Sequence, residues 1–158
     1  MKIGLFYFSK HHGNTLKIVE EIKKRHPDIE TVNSNDINPY SINVDDYDLV
    51  ILASGIYWGG AGKPLRKLAK KFPAGQKMLI LTSHGSDTEY YPLKWRAELT
   101  LKGYEVLDSY GSKGFYDMWP YKKGRNHGHP NADEVSSIAD ATDLVIARLE
   151  ASHSKLSD

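Results

Sequence analysis

Short apolar runs separated by amphipathic stretches recur along the whole chain, and this alternation constrains the fold more than any other feature. Ile3 to Phe8 is a near-continuous apolar run, as expected for a strand buried on both faces. A polar, glycine-containing turn follows. Residues 15–25 then place Leu16, Val19 and Ile22 on one helical face, and His26-Pro27 stops that helix. Residues 29–32 and 48–53 read as the second and third strands. A helix over 63–72 turns Leu65, Leu68 and Ala69 inward, and 77–82 is a fourth strand. Residues 92–102 form a helix that Gly103 is placed to end, and 104–110 is a fifth strand. Asn131 and Glu134 have the spacing of a capping-box-like helix start. Val135, Ile138, Ala139, Thr142, Val145, Ile146 and Leu149 then make one apolar stripe at helical spacing.

Five strands, each followed by a helix, predict an α/β fold: a doubly wound three-layer sandwich around a five-stranded parallel sheet of order 2-1-3-4-5. The 158 residues suit one domain, expected over 1–151, with a polar, disordered tail over 152–158. In such sheets ligands sit outside the carboxyl ends of the strands. The loops after strands one, three and four are therefore where chemistry is expected.

Composition narrows the chemistry further. The chain has no cysteine, so disulfides, iron–sulfur clusters and thiolate zinc sites are excluded. A redox role would need an organic cofactor or a metal held by other ligands. Twenty-one basic residues against twenty acidic ones give a net charge of +1, which does not suggest a nucleic-acid partner. No apolar run approaches the roughly 20 residues that cross a bilayer. The apolar start stops at Ser9-Lys10-His11-His12 with no small-residue cleavage site, so no signal peptide is expected. The expected location is cytoplasmic.

The first ligand loop is Ser9-Lys10-His11-His12-Gly13-Asn14-Thr15. It joins a buried strand to a helix N-terminus, where free N–H groups and the helix dipole favour an anion, phosphate above all. Taken alone, the same residues also describe an ordinary polar turn capped by Asn14 or Thr15. The loop resembles the flavodoxins, whose first loop runs Ser/Thr, two or three residues, then Gly-Asn-Thr, and wraps the FMN phosphate. Ser9, Gly13, Asn14 and Thr15 match that pattern, while the loop is one residue longer and carries Lys10, His11 and His12.

The loop after strand three, Ser54-Gly55-Ile56-Tyr57-Trp58-Gly59-Gly60, sets two aromatics between glycines at the ligand edge. A flat ring needs an aromatic surface to stack on, and glycine lets backbone amides approach. The segment looks like the Gly-Ile-Tyr-Trp/Phe-Gly loop of one flavodoxin branch and resembles the corresponding loop of FMN-dependent reductases. The resemblance implies that Gly55 to Gly59 line the flavin, and that a peptide at Trp58-Gly59 or Gly59-Gly60 reorients when the ring's N5 is protonated. Ser83-His84-Gly85, after strand four, would face the ring's pyrimidine edge. Lys113-Gly114-Phe115 and Gly128-His129-Pro130-Asn131 match the ending of the same branch, so the resemblance spans nearly the whole chain. His127 and His129 could pair at a metal, but no acidic or third histidine partner stands close by in sequence, and no metal site is expected.

The resemblance implies an FMN-binding electron-transfer protein with a redox partner protein or an NAD(P)H-dependent reductase as its counterpart. The alternative is a small FMN-dependent NAD(P)H oxidoreductase acting on quinones or similar acceptors. Electron-carrier flavodoxins are acidic around the flavin. Here Lys63, Arg66, Lys67, Lys70, Lys71 and Lys77 lie between Leu49 and Ser86 with no acidic residue among them. They make either a basic rim that attracts an acidic protein, a nucleotide phosphate or an anionic substrate, or a solubilising outer helix face.

Overall fold

A computed structural model describes residues 1–86 and 89–156. Its strands are β1 (Ile3–Phe8), β2 (Glu30–Asn33), β3 (Leu49–Tyr57), β4 (Gly60–Ala61), β5 (Lys77–His84) and β6 (Glu105–Lys113). Its helices are α1 (Asn14–Arg25), α2 (Lys63–Ala69), α3 (Tyr90–Leu101) and α4 (Ala132–Leu156). Strands β2-β1-β3-β5-β6 lie side by side in that order and pair in parallel. The short β4 pairs antiparallel with the end of β3. With β4 set aside, this is the predicted 2-1-3-4-5 order of a doubly wound α/β sandwich.

The period of two along the strands explains the three layers. Leu49, Ile51 and Ala53 of β3 face the same side as Leu5, Leu79 and Leu81. They pack with Ile18, Val19 and Ile22 of α1 and with Ile138, Ala139, Val145, Ile146 and Leu149 of α4. Val50 and Leu52 face the other way, with Phe6, Phe8, Met78 and Ile80, against Leu65 and Leu68 of α2 and Trp95 and Leu99 of α3. Most of these strand side chains are wholly buried, each contributing about 1.5–3 kcal/mol. A run apolar at every position has a core on both faces, which is why the strands read as continuous.

The helix ends follow their local chemistry. Gly103, at φ 93, terminates α3: its N–H donates to the Thr100 carbonyl, and the Tyr104 N–H donates to that of Leu99, the paired bonds of a Schellman motif. At the start of α4 the Glu134 N–H donates to Asn131 Oδ1 while the Asn131 N–H donates to Glu134 Oε2, at 2.9 and 2.8 Å. Arg25, the last residue of α1, reaches Glu21, Asp140 and Asp143 at 2.6–2.9 Å, tying α1 to α4 on their shared face. α4 continues through Leu156, so the disordered tail expected from Ser152 is helical up to that residue. Ser152 and Ser154 donate to the carbonyls of Arg148 and Glu150 four residues back, which suits their short polar side chains to the last turns. Residues 157 and 158 lie outside the described residues.

Three strands run past their predicted ends, β3 to Tyr57, β5 to His84 and β6 to Lys113. The parallel ladder continues through Ser54↔Thr82, Gly55↔Ser83 and Ser83↔Ser112. Backbone pairing satisfies these residues whatever their side chains, so hydropathy alone ends the strands too early. The extension buries Ser54, Ser83 and Ser112 beneath the carboxyl edge of the sheet. α2 is shorter than predicted, ending at Ala69, although Phe72 beyond it stays buried.

Candidate functional site at the carboxyl edge of the sheet

The first loop spans residues 9–13, between the end of β1 and the start of α1. Gly13, at φ 64, is the N-cap, and no side chain caps the helix. Glycine takes this left-handed conformation without strain, and a Cβ there would meet open space. The helical ladder begins with the Lys17 N–H donating to the Gly13 carbonyl at 3.1 Å. The N–H groups of Asn14, Thr15 and Leu16 precede that bond and lack intrahelical acceptors. No acidic residue sits in this first turn, so the helix itself sets no carboxylate against an anion at its positive end.

Asn14 and Thr15 are therefore not caps. The Thr15 hydroxyl bonds that of Ser83 at 2.8 Å in a buried pair, joining α1 to β5. Asn14 Nδ2 donates to the Phe115 carbonyl at 2.9 Å, and its Oδ1 is buried with no hydrogen-bond partner among the described residues. Ser9 is half-buried, and Lys10, His11 and His12 are exposed.

The glycine-rich segment after strand three is a β-hairpin, which apolar periodicity does not reveal. Ile56 faces Ala61 and Tyr57 faces Gly60. Trp58 and Gly59 make the turn at φ 52 and 78, two positive angles as in the tight hairpin turns. Ser54 closes its base: the Gly62 N–H donates to the Ser54 hydroxyl at 2.8 Å, and that hydroxyl donates to the Gly55 carbonyl. The two aromatics then part company. Trp58 is 99% exposed, an indole free to stack. Tyr57 folds back over Gly55, where a Cβ would lie only 2.6 Å from its hydroxyl, and its ring meets Phe8 and His11. Its hydroxyl accepts the Lys10 N–H at 2.9 Å. Burial pushes the Tyr57 phenol up, and the Lys10 and His11 N–H groups pull it back. Tyr57 thus bridges the first and second loops instead of standing beside Trp58.

In the third loop Ser83 is engaged with Thr15, and the buried His84 ring lies 5.2 Å from that of Tyr91. The Gly85 carbonyl accepts from Asn126 Nδ2 at 3.0 Å. Residues 111–130 close over this edge. Asn126 also donates to the Gly114 carbonyl, Phe115 packs edge-on to His12 with ring centres 4.6 Å apart, and Asp117 Oδ1 sits 2.9 Å from His12 Nε2. That contact holds the Asp117 carboxyl below its usual range. Phe115, Asp117 and Asn126 are site residues that sequence reasoning missed. His129 has an acidic neighbour after all, Glu134, at 2.8 Å, and His127 bonds the Lys123 carbonyl. Among the described residues no three acidic or histidine side chains gather as metal ligands.

A cleft of about 400 Å³ opens beside the hairpin turn, lined by Trp58, Gly59, Lys63, Arg66, Lys94 and Glu98 among others. Lys94, a further residue missed in the sequence, donates through Nζ to the Gly59 carbonyl at 2.9 Å and so pins the turn. The basic cluster of the sequence divides. Lys63 and Arg66 belong to this rim, and Lys67 and Lys70 continue away between α2 and α3. Lys71 covers the Tyr40 ring at 3.8 Å, and Lys77 opens β5 at the opposite edge.

An uncapped helix start, a glycine hairpin and a serine-rich strand end, gathered at the carboxyl edge of a 2-1-3-5-6 sheet, define a doubly wound protein of the flavodoxin type. Residues 5–84 match the Flavodoxin domain family. An uncharacterized protein of Methanocaldococcus jannaschii, MJ0298, is 31% identical over 140 residues, covering 85% of this chain and 91% of that protein. The chain belongs to the flavodoxin domain family. Among solved structures, rubredoxin oxygen:oxidoreductase from Desulfovibrio gigas aligns with a TM-score of 0.70 at 15% identity, over 95% of this chain. This chain spans only 36% of that longer protein. A flavodoxin from the domain Archaea gives 0.62 at 12% identity over 94% and 99% of the two chains. A Lactobacillus acidophilus flavoprotein in complex with FMN gives 0.54 at 16% identity over 71% and 92%. At these identities the solved structures establish the fold. Among the described residues no helix is long and apolar enough to cross a membrane.

Proposed function

We propose that the chain binds one FMN at this edge and serves as an electron-transfer protein. The observation that carries the reading is the start of α1, which has neither a capping side chain nor an acidic first turn. Donors left open at a helix N-terminus suit a phosphate. Two further features fit the group. The Asn14 Oδ1 is buried without a partner, and Gly13 and Gly59 each leave open space where a Cβ would stand. The FMN bound to the Lactobacillus acidophilus flavoprotein of the same fold agrees with this choice.

FMN would supply a ring that takes up and releases one or two electrons. The protein's part is binding and orientation. The N–H groups of residues 14–16, with Ser9 and Lys10, would hold the phosphate. Trp58 offers an exposed aromatic face, and the Gly59–Gly60 backbone permits close approach at the ring's edge. Ser83 and Gly85 would present polar backbone to the opposite end. Residues 111–130, anchored through Asn14, His12 and Asn126, limit water access from above.

Titration of the purified protein with FMN, followed by absorbance and by calorimetry, tests the reading. A saturable spectral change at one FMN per chain is expected, with almost no steady-state NAD(P)H oxidation in the absence of a reductase. A colourless protein with no heat of association refutes it.

A further inference from the structure

The groove between α2 and α3 leads away from the edge proposed to hold the flavin. It begins at the cleft beside Trp58 and continues, through the shared Lys63, Arg66 and Glu98, into a second hollow of about 300 Å³ lined also by Lys67, Lys70 and Lys102. With Lys94, six exposed cations share the groove with one carboxylate. Among the described residues none of the six makes an ion pair. Elsewhere only some surface cations are matched, Arg25 with Glu21, Asp140 and Asp143, Arg96 with Asp108, and Lys2 with Asp46; what sets the groove apart is six cations gathered around one carboxylate. Unpaired like charges repel one another, so the fold gains nothing from gathering them here.

The form of the groove selects its occupant. Its cations stand on the surface, in contact with water, whereas small-molecule sites enclose most of their ligand. It also joins two hollows between α2 and α3, more than one phosphate needs. Nucleic acid is a poor match, because the chain carries only +1 overall and Glu98 stands among the cations, where a phosphodiester would meet repulsion. A protein surface with many carboxylates and an occasional basic side chain matches both signs. We propose that this groove is a docking surface for an acidic protein partner. That the partner is a redox protein rests on the proposed function, but the docking does not.

The test uses the full chain and, as an acidic stand-in, a poly-L-glutamate peptide of about 20 residues, with binding followed by calorimetry. Affinity is expected to rise about tenfold or more between roughly 200 and 20 mM salt, as the screening length grows. The K67E/K70E/K102E variant should weaken binding at low salt by about tenfold or more, while K23E/K24E on α1 should leave it within about twofold. Circular dichroism checks folding, and K67Q/K70Q/K102Q, which removes charge without reversing it, should give a smaller loss in the same direction. No binding at low salt, or equal losses from the α1 and groove variants, would overturn the proposal. So would tighter binding of an oligothymidylate of similar length, or displacement of the peptide by micromolar NADPH. FMN titration run in parallel keeps the two readings apart: peptide binding without FMN binding refutes the cofactor alone, and the reverse refutes the docking surface alone.

Discussion

The buried Thr15–Ser83 hydroxyl pair links the helix that follows the first loop to the strand that ends in the third loop. The two residues are 2% and 4% exposed, and their oxygens are 2.8 Å apart. Thr15→Val keeps the shape of the side chain but strands the Ser83 hydroxyl without a partner. An unsatisfied buried hydroxyl costs about 1–3 kcal/mol, so about 2 kcal/mol is expected. For a chain of this length that corresponds to a fall in Tm of roughly 4–8 °C. Ser83→Ala strands the Thr15 hydroxyl and should cost about as much. The double variant removes both hydroxyls and leaves nothing unsatisfied, so it should lose only about 1–2 kcal/mol. Single losses that sum to about 4 kcal/mol against that figure give a coupling energy of about 2–3 kcal/mol. Urea unfolding, read through the fluorescence of the buried Trp95, measures all four corners of the cycle. Additive losses would refute the reasoning, because they would mean that the hydroxyls do not satisfy one another.

Two further outcomes follow from contacts at the edges of the site. Asn131→Ala removes the acceptor for the Glu134 N–H and should destabilise the protein by about 1 kcal/mol in the same urea assay. Asp117 has a lowered pKa because it bonds His12, so this tether of residues 111–130 is present above the ordinary carboxylate range and fades as pH falls through and below about 4. Amide exchange of that segment should therefore accelerate on acidification, and Asp117→Asn should remove the effect.

How much of this was legible in the sequence depended on the range over which each feature is decided. The two-sided core and the apolar stripe of α4 follow from periodicity, which is local and repeated, and the strand order follows from the connection rules of alternating strands and helices. Gly103 and the Asn131–Glu134 box were readable because a helix end is fixed within a few residues. The three loops at the carboxyl edge of the sheet could be located because the topology dictates where strands release their chains. The wiring within those loops was not found. Tyr57 reaches back 47 residues to Lys10, Asp117 reaches 105 residues to His12, and Lys94 meets Gly59 from a different helix. Such contacts carry no periodicity and depend on how the layers come together. The hairpin at Trp58-Gly59 was hidden for another reason, since a two-residue β4 is too short to show alternation.

The charge of this edge sets a last, quantitative expectation, which rests on FMN being the cofactor. Lys63 and Arg66 line the cleft next to the turn that would meet the flavin, whereas the flavodoxins it resembles are acidic there. Reduced flavin carries more negative charge than oxidised flavin, so each nearby cation favours reduction. For exposed groups in water the interaction is at most about 1 kcal/mol at close range, and it shrinks beyond a screening length of about 8–10 Å. One kcal/mol corresponds to about 40 mV for one electron. Lys63→Gln combined with Arg66→Gln should therefore move the flavin's potential negative by up to about 80 mV, more at low salt than at high. A redox titration of the FMN-loaded protein at two ionic strengths measures this. A shift of the opposite sign, or none at low ionic strength, would show that these cations lie too far from the ring to act on it, and their place would then be in the groove alone.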